Sequence, residues 1–104
     1  VIPKQSLYSM TKSAMLQMTR SMALEWARYN IQVNAILPGF ILTNMNNEFF
    51  KTENGKKMFS RWPKKRVGGP DMILSTLGYL LDDNSDYVTG STITVDDGQS
   101  LKRI

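Results

Sequence analysis

At 104 residues, the chain is long enough for one compact domain and too short for two. It contains no cysteine and no histidine, which excludes disulfides, thiolate nucleophiles, a Ser-His-Asp triad and histidine-ligated metals within this chain. The net charge of +4 does not by itself call for a nucleic-acid partner. Acid–base chemistry would therefore rest on Tyr, Lys, Asp or Glu, and we expect no bound metal.

The sequence shows no apolar run close to the roughly 20 residues of a membrane span and no signal segment at its start. We therefore expect a cytoplasmic protein with neither a membrane nor a nucleic-acid partner. The chain starts at Val1 rather than at methionine and opens directly on a helical pattern. This start leads us to expect a piece of a longer or processed protein.

The segment from Ser6 to Tyr29 is predicted to form one long helix. Its apolar residues recur at spacings of three and four, in a stripe made of Leu7, Ala14, Met18, Met22, Trp26 and Tyr29. Further apolar residues lie off this stripe, so the helix is expected to need cover on two sides, such as a sheet and a partner subunit. Asn30 suits the left-handed conformation that ends many helices.

Two short strands are predicted after this helix. The β-branched run from Ile31 to Leu37 reads as a buried strand that stops at Pro38-Gly39, and Thr92–Val95 reads as a last strand ended by Asp96-Asp97-Gly98. Two isolated strands do not make a stable sheet, so parallel partners outside this sequence are expected.

Between these strands lie an irregular segment and a third helix. Residues 43–66 are predicted to form a long excursion with one or two short helices. Pro70 and Asp71 suit the first turn of the third helix, which residues 82–85 end. The order of helix, strand, excursion, helix and strand predicts an α/β protein.

The residues with the clearest chemical potential are Tyr8 and Lys12. Four positions apart on a helix, they share one face about 6 Å apart. A free tyrosine loses its proton only at about pH 10, and a nearby ammonium favours the phenolate. The same ammonium could donate to the hydroxyls of a ribose. The spacing alone is also compatible with an exposed aromatic beside a solvated lysine.

Four segments, in order, resemble the short-chain dehydrogenase/reductase family and together cover nearly the whole chain. They are Tyr8-Ser-Met-Thr-Lys12-Ser-Ala, Asn34-Ala-Ile-Leu-Pro38-Gly39-Phe-Ile41-Leu-Thr43, Arg66-Val-Gly68-Gly-Pro70-Asp-Met-Ile73, and Tyr87-Val-Thr-Gly90 with Thr92-Ile-Thr-Val-Asp96-Asp-Gly98. The resemblance implies the carboxy-terminal part of a Rossmann-type doubly wound parallel sheet. Residues 1–104 would then belong to a single NAD(P)-binding domain, with residues 44–66 as its substrate-binding excursion.

The resemblance implies hydride transfer between NAD or NADP and a small carbonyl or secondary alcohol. Tyr8 would exchange the proton with the substrate oxygen, and Lys12 would bind the nicotinamide ribose and favour the Tyr8 phenolate. The implied cofactor-binding residues are Tyr8, Lys12, Pro38, Gly39, Ile41 and Thr43. The implied substrate-binding residues are Phe40, Met45 and Phe49.

Other interpretations of the same residues stay open. Pro38-Gly39 could simply end a strand, Thr43 could cap a helix, and the apolar residues of the excursion could pack short helices rather than line a pocket. Because the family's glycine-rich turn and catalytic serine lie outside the chain, the 104 residues alone are expected to be inactive. The alternative function is a non-catalytic module that dimerises through its two-faced helix. The family resemblance itself implies a homodimer or homotetramer, and a basic nucleic-acid binder is a third, weaker reading.

Overall fold

The computed structural model describes residues 5–101. In chain order its helices and strands are α1 (Ser6–Trp26), β1 (Ala35–Pro38), α2 (Asn47–Lys51), α3 (Glu53–Phe59), α4 (Leu74–Leu81) and β2 (Thr92–Val95), with 3-10 turns at Ala27–Tyr29, Pro70–Ile73 and Asp83–Ser85. The described residues divide into two compact units, 5–35 with 80–93 and 36–79 with 94–101. No helix within residues 5–101 is both long enough and apolar enough to cross a membrane.

The long first helix ends where the sequence predicts. A 3-10 turn continues α1 as far as Asn30, which adopts a left-handed conformation with φ of 56° and ψ of 41°. The N–H of Asn30 donates to the carbonyl of Ala27, which satisfies one of the acceptors left unpaired at the helix end. The predicted left-handed cap at Asn30 is confirmed.

The side of α1 that packs within its own unit is not the predicted apolar stripe. Five of the six stripe residues are exposed, whereas Leu16 and Thr19 are half-buried and Ala23 is buried. A Cβ added to Gly90 would lie 3.5 Å from the Ala23 Cβ. The buried side of α1 is thus the side that carries the small Ala23, which packs near Gly90.

The two strands form a parallel pair. The Ala35 N–H donates to the Ser91 carbonyl, and the Gly39 N–H donates to the Val95 carbonyl, with the same sequence offset at both ends. The predicted last strand is confirmed at its predicted bounds. In a ladder of this register the nitrogen of Pro38 faces away from β2, so its missing N–H costs no bond in this pair.

The first strand starts at Ala35, four residues later than Ile31, the predicted start. The cause lies in the segment that precedes β2. Gly90 there has a φ of 69°, so this segment cannot pair with residues 31–34 in a regular ladder. Instead, the Val33 N–H donates to the Thr89 side-chain oxygen at 3.0 Å, and the Gly90 N–H donates to the Val33 carbonyl.

The Asn34 side chain joins these two irregular segments. Its Nδ2 donates to the Val88 carbonyl, and its Oδ1 accepts from the Ser91 N–H, both at 3.0 Å. A partly buried amide that is bonded at both ends fixes the approach of the two strands more firmly than one backbone bond would.

The excursion contains the two short helices that the sequence allows. The Thr52 side chain accepts from the Gly55 N–H at 3.1 Å and caps the start of α3. The third predicted helix opens at Pro70 with a 3-10 turn and continues as α4, and the Asp82 side chain caps the 3-10 turn that follows it. The predicted parallel α/β architecture is confirmed.

Candidate active site

Tyr8 and Lys12 lie on the same face of α1, as their spacing predicts. The Lys12 Nζ is 5.3 Å from the centroid of the Tyr8 ring, close enough for a cation–π attraction. Tyr8 is 60% exposed, so its hydroxyl can be reached by a bound molecule. The pair therefore offers a phenol and an ammonium side by side, on one rigid helix.

The second candidate region is the stretch from Pro38 to Thr43, which we call the turn segment. It follows β1 directly and is held by residues far along the chain. The Phe40 carbonyl accepts from the Gly68 N–H at 3.0 Å, and the Leu42 N–H donates to the Gly68 carbonyl at 2.7 Å. The turn segment therefore has a defined backbone rather than that of a free loop.

Ile41 lies at the centre of this bridge. The bridge to Gly68 uses the Phe40 carbonyl and the Leu42 N–H. The N–H and the carbonyl of Ile41 therefore face away from Gly68. The carbonyl accepts from Asn46 Nδ2 at 2.8 Å, and within residues 5–101 no acceptor pairs with the Ile41 N–H. Ile41 thus has one backbone N–H and a second carbonyl lone pair that form no hydrogen bond among residues 5–101.

Asn46 also fixes the end of the turn segment. Its Oδ1 accepts from the Thr43 N–H at 2.7 Å, so one side chain holds both Ile41 and Thr43. The residue that precedes α2 is Asn46, so the alternative interpretation of Thr43 as a helix N-cap is wrong. The Thr43 side chain is exposed.

The predicted substrate-binding residues differ in their surroundings. Phe40 stacks on Trp62 with ring centroids 5.2 Å apart, and Phe49 meets Phe50 edge-on at the same distance. Phe50 is only 7% exposed and is the centre of this aromatic cluster, whereas Met45 is 98% exposed. Phe40 and Phe49 thus pack the excursion while keeping part of their surface open.

The turn after β2, residues 96–101, which we call the end turn, contacts the turn segment. The Asp96 carboxylate accepts from the N–H groups of Gly98 and Ser100, each at 2.9 Å. Hydrogen bonding by Ser100, together with the Gly98 N–H, holds the pKa of Asp96 below its usual range. The Gln99 side-chain carbonyl accepts from the Phe40 N–H at 2.8 Å.

Asp97 ties the end turn to the end of the excursion. Its carboxylate contacts Arg66 Nε at 2.6 Å and Lys64 Nζ at 3.1 Å. Hydrogen bonds from Arg66 and then Lys64 lower the pKa of Asp97 to about 2. Lys64 and Arg66, two of the cations on which the nucleic-acid interpretation would rest, are therefore paired within the chain, which weakens that interpretation.

The residues predicted from the sequence thus fall into two groups, one in each compact unit. Tyr8 and Lys12 are together on α1, and Pro38, Gly39, Phe40, Ile41 and Thr43 are together in the turn segment. Sequence reasoning missed the three side chains that hold the turn segment and its surroundings, which are Asn46, Asp97 and Gln99. Only the Asp-Asp-Gly run at 96–98 gave a signal there, as the end of a strand.

Comparisons with known proteins extend over nearly the whole chain. A family described as enoyl-(acyl carrier protein) reductase matches residues 1–100. A tropinone reductase homolog of Arabidopsis thaliana is 42% identical over 97 residues, which are 92% of this chain and 37% of the relative. The chain therefore spans little more than a third of the length of this curated relative.

Solved structures give the same picture at the level of the fold. A 4-hydroxyisoleucine dehydrogenase mutant complexed with NADH and succinate has a TM-score of 0.85 and 34% identity, over 93% of this chain and 40% of that one. A short-chain type dehydrogenase/reductase from Mycobacterium ulcerans has a TM-score of 0.84 and 31% identity, over 92% of this chain and 35% of that one. The chain therefore belongs to the short-chain dehydrogenase/reductase family. The related proteins named above are Rossmann-like oxidoreductases.

Proposed function

We propose that this chain is the carboxy-terminal part of an NAD- or NADP-dependent oxidoreductase that interconverts a small carbonyl compound and a secondary alcohol. The observation that carries the proposal is the Lys12 ammonium 5.3 Å from the exposed Tyr8 ring, within the helix segment that matches the family. The described residues offer no histidine or cysteine to compete for the acid–base role.

Tyr8 would act as the general acid and base. In reduction, its hydroxyl would give a proton to the substrate oxygen, and bound NAD(P)H would be the source of the hydride. In oxidation, the Tyr8 oxygen accepts that proton. The Lys12 ammonium would place a positive charge beside the Tyr8 oxygen during this proton exchange and would donate hydrogen bonds to the cofactor ribose.

The turn segment fits the nicotinamide end of the cofactor. A carboxamide needs one backbone donor and one acceptor, and the Ile41 N–H and carbonyl offer both. The exposed Thr43 hydroxyl is available for a nearby phosphate, and Phe40, Met45 and Phe49 would contact the substrate. The NADH named in the related 4-hydroxyisoleucine dehydrogenase structure supports this class of cofactor.

The exposed stripe of α1 supports a subunit contact. Leu7, Met18 and Tyr29 are each more than half exposed, which is unusual for the apolar side of a helix. A homodimer or homotetramer would cover them, and the same surface is the observation behind the second candidate, a non-catalytic dimerisation module. The two candidates differ in whether Tyr8 is needed for turnover.

The test replaces Tyr8 with phenylalanine in the whole protein that carries this chain. Turnover of NAD⁺ or NADP⁺ with a panel of polyols and other secondary alcohols is followed by absorbance. Tyr8→Phe is expected to lower kcat about a thousandfold, the usual size of a general acid–base contribution. Binding of NADH or NADPH, measured by fluorescence, should remain.

The matched control is Tyr87→Phe, which removes the same hydroxyl from another exposed tyrosine that lies outside the α1 stripe. It should keep full turnover. If the Tyr8→Phe variant retains more than about a tenth of the parent kcat, Tyr8 is not the proton donor. If the whole protein dimerises but binds neither cofactor, the dimerisation module is the better description.

A further inference from the structure

Gln99 has no part in the proposed chemistry, yet its side chain holds a backbone group 59 residues upstream. The Gln99 Oε1 accepts a hydrogen bond from the Phe40 N–H at 2.8 Å. Phe40 lies between Gly39 and Ile41, in the middle of the turn segment. The position of this peptide group therefore depends on one distant side chain as well as on the neighbouring strand.

The contact between the end turn and the turn segment leaves no room for a side chain at position 39. A Cβ added to Gly39 would lie 2.5 Å from Gln99 Oε1 and 2.9 Å from Asp96 Cα. The glycine at position 39 is thus required by the Gln99 side chain and by the backbone beneath it. The two segments are packed backbone against backbone at this point.

The Gln99 side chain is itself aimed by a rigid turn. The Gln99 N–H donates to the Asp96 carbonyl at 2.9 Å, and the Asp96 carboxylate accepts from the residues on both sides of Gln99. Asp97 and Gly98 both adopt left-handed conformations, with φ of 57° and 80°. Such a network fixes the direction in which Gln99 leaves the backbone.

We propose that Gln99 is a positioning residue for the nicotinamide end of the cofactor, acting through the Phe40 N–H on the backbone of Ile41. The inference rests on the proposed function, because it assumes that the Ile41 peptide groups meet the carboxamide. Gln99 holds the Gly39–Phe40 peptide, and Gly68 holds the Phe40–Ile41 peptide that follows it and carries the Ile41 N–H. Together the two contacts keep this N–H turned outward. Without Gln99, the Gly39–Phe40 peptide loses its side-chain partner, and the orientation of the Ile41 N–H rests on the Gly68 bonds alone.

The experiment compares Gln99→Met with Gln99→Glu in the whole protein. Methionine keeps the length of the side chain but lacks the carbonyl acceptor, whereas glutamate keeps an acceptor oxygen at the same reach. Gln99→Met should raise the Kd for NADH or NADPH about tenfold, the effect of one lost hydrogen bond and one unpaired amide. Gln99→Glu should restore binding to within about threefold of the parent, and ADP-ribose, which lacks nicotinamide, should bind all three proteins equally.

Two measurements separate this role from a general loss of structure. Amide hydrogen exchange at Phe40 should speed up in Gln99→Met and not in Gln99→Glu, while the thermal midpoints of the two variants stay within a few degrees. Gln17→Met makes the same chemical change on the exposed side of α1 and should leave cofactor binding as it is.

Each outcome bears on a different claim. Equal NADH binding by the parent and Gln99→Met would overturn the positioning role while leaving the proposed function intact. An equal loss of ADP-ribose binding would also overturn it, since the effect would not be specific to nicotinamide. If the parent bound neither NADH nor NADPH, the proposed function would fail first, and the cofactor role of Gln99 with it.

Discussion

Tyr8 and Lys12 depend on one helix for their arrangement, whereas the turn segment depends on contacts with three other parts of the chain. Four residues of spacing on α1 are enough to bring the ammonium of Lys12 to the ring of Tyr8. The turn segment is instead held by Gly68, Asn46 and Gln99, which lie up to 59 residues away.

The difference follows from what each region would offer a ligand. Tyr8 and Lys12 offer side chains, which any regular helix displays in a known direction. The turn segment offers backbone donors and acceptors, which point correctly only if the chain conformation is imposed from outside. Side-chain chemistry should therefore be lost by changing the residue itself, and backbone chemistry by changing its distant supports.

The largest effect that tests this contrast is expected from Lys12→Met. In the proposed function, Lys12 supplies a positive charge beside the Tyr8 oxygen and a donor to the cofactor, so its loss should lower kcat/KM about a hundredfold in the whole protein. Because Lys12 is exposed, the thermal midpoint should hardly change. Lys12→Arg keeps the charge and should recover part of the activity, and a Lys12→Met variant with normal kcat/KM would contradict the role.

A smaller effect, of a different kind, is expected from Gly39→Ala. The added Cβ would meet Gln99 Oε1 and the backbone of Asp96, so the end turn must move. We expect a loss of about 1–3 kcal/mol in the free energy of unfolding, measured by urea denaturation, together with weaker cofactor binding.

The matched control for that change is Gly78→Ala in α4, where an added Cβ meets nothing within 4 Å. It should stabilise the protein by about 0.5–1 kcal/mol, because alanine is the better helix former. If Gly39→Ala and Gly78→Ala change the free energy of unfolding equally, the turn segment is not packed against the end turn at Gly39.

The smallest effect is expected from Asp97→Asn and depends on pH. The pKa of Asp97 is lowered to about 2 in the folded chain, from about 3.9 in an unfolded one. Folding therefore favours the ionised carboxylate, and this stabilisation is complete above about pH 4 and is lost as the pH falls towards 2. The thermal midpoint of Asp97→Asn should lie below that of the parent at pH 7, and the two should converge near pH 2.

Salt and a second aspartate provide the controls. Raising the ionic strength should reduce the difference in thermal midpoint between the parent and Asp97→Asn at pH 7, because Arg66 and Lys64, the partners of Asp97, are exposed to solvent. Asparagine tolerates the left-handed conformation at position 97, so the backbone is not at issue. Asp86→Asn should leave the midpoint unchanged, and a difference for Asp97→Asn that persists at pH 2 would exclude its charge as the cause.

Local patterns predicted the elements whose causes are local. The helix from Ser6, its left-handed end at Asn30 and the strand at Thr92–Val95 follow from residue spacing and from the conformations that single residues prefer. The pairing of Tyr8 with Lys12 is local for the same reason.

Features with distant causes were not predictable in this way. β1 starts late because of Gly90, more than 50 residues further on, and α1 buries Ala23, which packs near that same glycine, rather than the apolar stripe. Gln99 carries no sequence signal, since a glutamine after a glycine turn is usually just solvated. The hydrogen bond from Phe40 to Gln99 depends on the end turn lying against Gly39, which no local pattern indicates.

The bond between Gln99 and Phe40 also orders events during synthesis. The turn segment is made well before the residue that holds it, and at about 5–20 residues per second the delay between them lasts several seconds. Asn46 and then Gly68 are made during that interval, whereas the Phe40 N–H lacks its side-chain partner until Gln99 follows. In a nascent chain, the turn segment would therefore acquire its full set of backbone hydrogen bonds only after the end turn has been made.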